Sequence, residues 1–277
     1  MRREPDRLMS YDWDFYFAQI EQQPASIMVD VGLREAAPDL RREHLYWVLV
    51  RLNEPSPEGM TTSLESIQMG YIEDLLTDQC SRAGAQFVGR ITTAGRREFY
   101  YYAAHNAPFT TAVHEAMRKF PAYQFELGDQ DDPNWSHYRD FLYPDPEARQ
   151  TIENRKVILR LQSAGDNLEQ SRAIRHFINF RDMSSRAEFV ALAQSLGYTT
   201  EQTLFPDREQ PFGLVLERIE SAQPVDIDTT TLLLYRHAVE FEGDYDGWES
   251  PVVRPPKPVL TFAAFGNFWK HLFGIKS

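Results

Sequence analysis

Residues Glu242–Ser250 read EGDYDGWES, with acids, a tyrosine and a tryptophan crowded into what reads as a loop framed by Gly243 and Gly247. The first chemistry to weigh is calcium. Glu242, Asp244, Asp246 and Gly247 fall on the first, third, fifth and sixth places of an EF-hand-like loop. The twelfth place, which needs a bidentate glutamate, holds Val253, and Pro251 interrupts the exit helix. Calcium requires about six oxygens or more, so the loop falls short. Zinc has no better start: the chain has one cysteine, Cys80, and seven histidines without close ligand spacing. His114-Glu115 opens a His-Glu-x-x-His pattern, but the last place is Arg118. No P-loop, Gly-x-Ser-x-Gly elbow or dinucleotide fingerprint is present. Cys80 lies in a helical stretch and reads as a small core residue, not a nucleophile. His176 alternates with Ile174, Ile178 and Phe180, which suits a hydrogen-bonded histidine at a sheet margin better than an acid/base. Asp129, Asp131 and Asp132 read as solvated acids of a linker, with paired carboxylates for hydrolysis as the rival. The residues thus give no catalytic set, no metal ligands and no cofactor motif.

The elements that would position these residues follow from period and punctuation. Asp12 to Ile20 is aromatic and reads as an edge strand. ASIMVDVGL alternates, with Ile27, Val29, Val31 and Leu33 on one side, and HLYWVLVRL is apolar on both faces, as in a central strand. A helix spans about 62–83, with Thr62 to Glu65 as a capping box, Leu64, Ile67, Tyr71, Ile72 and Leu75 as its stripe, and Gly84 as its stop. Two strands joined at Ala94-Gly95, a helix from Pro108 to Phe120, and a strand at AYQFELG complete a β-α-β-β-α-β order from His44 onward. Residues 129–146 read as a joint, with a short helix holding Trp135, Tyr138 and Phe141. Beyond it the order is α-β-α-β-β-α, with Ser185 to Glu188 as a second capping box and Gly197 as a stop. The fold class expected is α+β: two ferredoxin-like open α/β sandwiches over 11–145 and 146–250, a flexible lead at 1–10 and a tail at 251–277. The tail is extended through PVVRPPKPV and then places Phe262, Phe265, Phe268, Trp269, Leu272 and Phe273 at helical spacing. It either packs on this protein or a second copy, lies on a membrane surface, or docks into a partner.

The 277 residues suffice for two domains, and 42% hydrophobic residues suffice for their cores. A formal charge of −12 argues against direct nucleic-acid binding and fits a basic protein partner. MRREPDRLMS lacks the apolar core of a signal peptide, and no apolar run reaches the roughly 18 residues of a transmembrane helix. A lone cysteine suits a reducing compartment. The expectation is a cytoplasmic protein.

SRAIRHFINFRD, the helix ending LGY, FGLVLER and above all GDYDGWE together resemble the bacterial family of type B regulators of ribonuclease E activity, over about Glu147 to Val253. DWDFYFAQIEQQPASIMVDVGL, EDLL, FVGRITTAGRREFYYY and NWSHYRDFLYP resemble an uncharacterised bacterial domain family often fused to such a regulator. The resemblance implies a ferredoxin-like, non-catalytic module that binds the endonuclease and alters which transcripts are cut. Acidity suits binding to an arginine-rich scaffold. The extra first domain and the aromatic tail depart from the family's pattern. Within GDYDGW, Gly243 is expected to end a helix and Asp246-Gly247 to make a tight turn. Tyr245 and Trp248 then either pack inward or face out as partner-binding anchors ringed by Asp244, Asp246 and Glu249. An enzyme with an unrecognised site in the first domain, or a scaffold assembled through the tail, is the rival.

Overall fold

The structure, a computed structural model, describes residues 12–205 and 209–255. The aromatic end of the tail and the lead therefore lie outside the described residues. The chain divides into two compact units, Met1–Ile152 and Glu153–Ser277. Both are α+β with one antiparallel sheet each.

The first unit is built on β1 (Trp13–Ile20), β2 (Gln23–Asp30), β3 (His44–Arg51), β4 (Gln86–Thr93), β5 (Arg96–Ala103) and β6 (Phe125–Asp131), in the sheet order β1-β2-β4-β5-β3-β6. β1 is the edge strand its aromatic pattern suggested, and β3 is flanked on both sides. β4 and β5 turn at Ala94 and Gly95, both at positive φ (47° and 74°). That conformation suits a two-residue hairpin. Helices α1 (Ser63–Arg82) and α2 (Phe109–Met117) seal one sheet face over Val48, Val50, Phe99 and Tyr101.

The buried face of α1 shares only part of the expected stripe. Ile72 is fully enclosed and Leu75 packs on the core, but Leu64, Ile67 and Tyr71 are 73%, 54% and 58% exposed, and Met69, Leu76 and Cys80 take their place inside. Apolar residues occupy both sides of this helix, so period alone does not choose between them. Glu65 decides the orientation. Thr62 Oγ1 accepts from Glu65 N at 3.3 Å, the first half of the expected capping box. The Glu65 carboxylate instead accepts from Asn53 N and Glu54 N at 3.0 and 3.1 Å, which draws it inside.

The expected joint at 129–146 is part of the first core. β6 runs on to Asp131. Asp132 is buried, accepting from Tyr102 Oη at 2.5 Å, Ser136 N at 2.8 Å and His137 N at 2.9 Å. Trp135 and Tyr138 are fully buried on the second face of the sheet, with Trp135 stacked on Tyr102 at 4.1 Å. A π-helical turn, His137–Leu142, carries this cover, and only Phe141 of the expected apolar trio faces out. The turn chemistry of DQDDPNW masked a strand end and a buried acid.

The second unit holds most of α3 (Pro146–Ser163), then β7 (Arg172–Phe180), α4 (Met183–Ser195), β8 (Thr199–Leu204), β9 (Phe212–Glu220), α5 (Pro224–Glu240) and β10 (Gly243–Glu249). Its sheet order is β10-β7-β9-β8. α4 begins at an Asp182 cap, whose carboxylate accepts from Ser185 N at 2.8 Å, and not at the Ser185 box. Gly84 and Gly197 take the expected left-handed helix stops at φ +86°. The described start of the tail is pinned: Val253 N donates to Asp166 Oδ2 at 2.6 Å, and Asp166 is itself paired with buried Arg172 at 2.6 Å.

Candidate functional site

GDYDGWE is a strand, not a loop. β10 pairs along β7, with Tyr245 opposite Ile178 and Trp248 opposite His176, and slips by one residue at Asp246. Gly247 at that bulge has φ +110°, a conformation that disfavours side chains. The left-handed helix stop is Glu242 at φ 55°, not Gly243. Gly243 serves another purpose: a Cβ there would meet the Phe180 ring at 2.6 Å. The strand was hidden because its two glycines and alternating acids look like turn chemistry.

Alternation around the bulge sorts the five expected partner-binding residues into two sets. Tyr245 and Trp248 point into the core, 7% and 8% exposed, the inward of the two packings expected for them. Tyr245 Oη lies 2.8 Å from His176 Nδ1 in a buried hydrogen bond. Burial, with Tyr198 and Glu220 nearby, pushes the Tyr245 phenol well above its ordinary range. His176 Nε2 faces Glu220 Oε2 at 3.6 Å, too far for a hydrogen bond. Burial acts to raise the Glu220 carboxyl, but His176 and Arg218 outweigh it and hold the group below its ordinary range. Trp248 Nε1 donates to Asn154 Oδ1 at 2.9 Å.

Asp244, Asp246 and Glu249 stand on the other side, exposed. Strand register places Asp244 and Glu249 on one sheet face, open among the described residues, with Asp246 at the bulge between them. Asp244 lies beside Asn179, Gly247 beside Phe177, Val215 and Glu201, and Glu249 beside Arg175, Glu217 and Thr199. Among the described residues, helices α3, α4 and α5 pack against the opposite face, over Ile174, Ile178, Phe180, Leu214 and Leu216. Phe177 is half-buried at the centre of the open face, with the Arg175 guanidinium 5.7 Å from its ring. Arg175 reaches Glu249 at 2.9 Å, Glu201 at 3.5 Å and Glu217 at 4.0 Å. A shallow cavity of about 260 Å³ at one end is lined by Asn179, Arg181, Glu209, Gln210, Asp244 and Asp246. Burial and the Asp246 charge raise the Asp244 carboxyl, the mark of a crowded negative site. The arrangement can accept a cationic group beside an aromatic ring. Phe177, Arg175, Glu201 and Glu217 were not singled out from sequence, although RAIRHFINF already put Arg175, Phe177 and Asn179 opposite the apolar face of β7.

Two other sequence candidates have clear placements. Cys80 is buried, and burial alone pushes its thiol up to about 12, which fits a packing role. Asp129 and Asp131 separate from Asp132 and flank His44 on neighbouring β3, at 2.8 Å from Nε2 and 2.6 Å from Nδ1. Burial disfavours the His44 charge, but the two carboxylates outweigh it and raise the imidazole above its ordinary range.

The second unit's pattern of helices on one face and acids on the other coincides with a family match. Residues 151–250 match the family model Regulator of ribonuclease activity B. Residues 11–143 match a family of unknown function, DUF695. Both resemblances expected from the sequence are borne out, one for each half of the chain. Comparison with curated proteins gives no match. Among solved structures, one provisionally named a glycine cleavage system transcriptional repressor is 8% identical, with a TM-score of 0.22, covering 75% of this chain and 98% of that one. An unknown protein from Galdieria sulphuraria is 14% identical, with a TM-score of 0.21, covering 76% of this chain and 99% of that one. Likenesses this slight bear on neither fold nor function. Among the described residues, no helix of the regulator-like unit or of its companion is long and apolar enough to cross a membrane.

Proposed function

We propose that the protein is a non-catalytic regulator that binds an RNA-degrading endonuclease of the ribonuclease E type. We further propose that it docks through the open β10-β7-β9-β8 face of its second unit. The match of residues 151–250 to the ribonuclease-regulator family carries this reading. The face supports it: Asp244, Asp246, Glu249, Glu201, Glu217 and Glu209 outnumber Arg175 and Arg181 around a central phenylalanine. Such a surface suits an arginine-rich segment, whose guanidinium groups pair with carboxylates and stack on the ring. The net charge of −12 adds long-range attraction for a cationic partner and repulsion for free RNA.

The test is RNA cleavage by the full-length endonuclease with the intact chain added in excess. Regulation predicts altered cleavage of some substrates, no cleavage by the chain alone, and loss of the effect with Asp244→Lys/Glu249→Lys. An unchanged cleavage pattern at saturating protein would overturn the reading.

A further inference from the structure

Three strand ends of the first unit bring two imidazoles and a carboxylate to one point. His44 opens β3, and its Cα partner across the ladder is Asp131, the last residue of β6. On its other side His44 pairs with Ala103, the last residue of β5, and His105 follows two residues later. His44 Nδ1, His105 Nδ1 and Asp131 Oδ1 form a group of ligand atoms all within 4.8 Å of one another.

We infer that His44, His105 and Asp131 bind a divalent transition-metal cation of the zinc type. Their atoms are separated by 2.6, 3.2 and 3.9 Å, around the roughly 3.3–3.5 Å between neighbouring ligands of a tetrahedral zinc, which the exposed His105 and Asp131 side chains reach by adjusting their rotamers. Bonds from zinc to imidazole nitrogen and carboxylate oxygen are about 2.0–2.2 Å. The donor set, two imidazoles and one carboxylate, suits zinc and its neighbours and leaves room for a solvent ligand.

The surroundings fit the same assignment. Asp129 Oδ2 sits 2.8 Å from His44 Nε2, on the side away from the other ligands. A proton held there leaves Nδ1 as the nitrogen with a free lone pair, the carboxylate–histidine–metal arrangement. The ligand backbones are fixed. Tyr46, stacked on Phe109, donates its hydroxyl to the His105 carbonyl at 2.8 Å. Beside Asp131, Asp132 N donates to Glu43 O at 2.9 Å. His44 is 4% exposed, whereas His105 and Asp131 are 80% and 83% exposed, so one buried ligand anchors a site open to solvent. Binding through Nδ1 requires that nitrogen's lone pair, so uptake releases to solvent any proton carried there.

The experiment is zinc titration of the chelator-stripped full chain by calorimetry near neutral pH, repeated with Co²⁺ to read its visible absorption. One tight ion per chain is expected, with cobalt bands of a nitrogen and oxygen site. His105→Ala and Asp131→Asn, whose side chains are exposed and whose folding is checked by circular dichroism, should each weaken binding by about tenfold or more. Asp129→Asn should weaken it about 10- to 100-fold while leaving the stoichiometry at one. No uptake by the intact chain would overturn the assignment. So would equal affinity and stoichiometry in the His105→Ala/Asp131→Asn double variant.

Discussion

Trp248 ties three elements through one indole. It leaves β10, packs among Ile158, Leu161, Ile174 and Ile227, and donates to Asn154 of α3. Asn154 in turn donates to Asp228 Oδ1 and Thr231 Oγ1 of α5 at 2.8 and 2.7 Å. Trp248→Ala should therefore destabilise the second unit by about 3–5 kcal/mol. Trp248→Phe keeps most of the volume but removes the indole N–H that Asn154 Oδ1 accepts, a loss of about 0.5–1.5 kcal/mol. Denaturant unfolding followed by circular dichroism checks both. Glu220 gives a pH-dependent counterpart. Its folded carboxyl is held below the unfolded value, so its contribution is complete above the ordinary glutamate range, about pH 4.3, and is lost as pH falls through the depressed folded value. Glu220→Gln should be less stable than the native chain at neutral pH, and thermal melts should show the gap closing in acid.

Element faces show what sequence could and could not say. Strands with strong alternation, such as RAIRHFINF, were legible because a period of two assigns each side chain to a face. α1 was legible as a helix but not in its orientation, since Leu64, Ile67 and Tyr71 are as apolar as the residues beneath. The deciding contact, Glu65 on the backbone of 53–54, joins places a dozen residues apart. Paired substitutions test that orientation. Met69→Ala should cost about 2–5 kcal/mol, whereas Ile67→Glu should stay within about 0.5 kcal/mol of the native chain, both read from chemical denaturation. β10 reads as a loop from its sequence for a related reason. Its glycines serve a bulge and the Phe180 ring rather than a turn, and an edge strand with acids on its open side resembles surface loop in composition. The His44 cluster had no local signature at all, because its ligands stand at positions 44, 105 and 131 and meet only through the sheet register.

At the scale of the molecule, an acidic chain carries a regulator-like second unit and a first unit that matches a family of unknown function. Its net charge of −12 and its acid-ringed sheet face both favour a cationic partner. Binding through exposed acids should weaken steeply with salt, because a Debye length of about 8 Å at physiological ionic strength shrinks further as salt rises. The most direct measurement is the affinity of the full chain for a fluorescently labelled ribonuclease E scaffold fragment by anisotropy. It would compare the native protein with Asp244→Lys/Glu249→Lys across a salt series. Both substituted side chains are exposed, so folding should change by about 1 kcal/mol or less. The account predicts saturable binding by the native chain that falls with salt and is weaker by about tenfold or more in the variant. Binding of equal strength and equal salt dependence in both proteins, or no binding by the native chain, would contradict it.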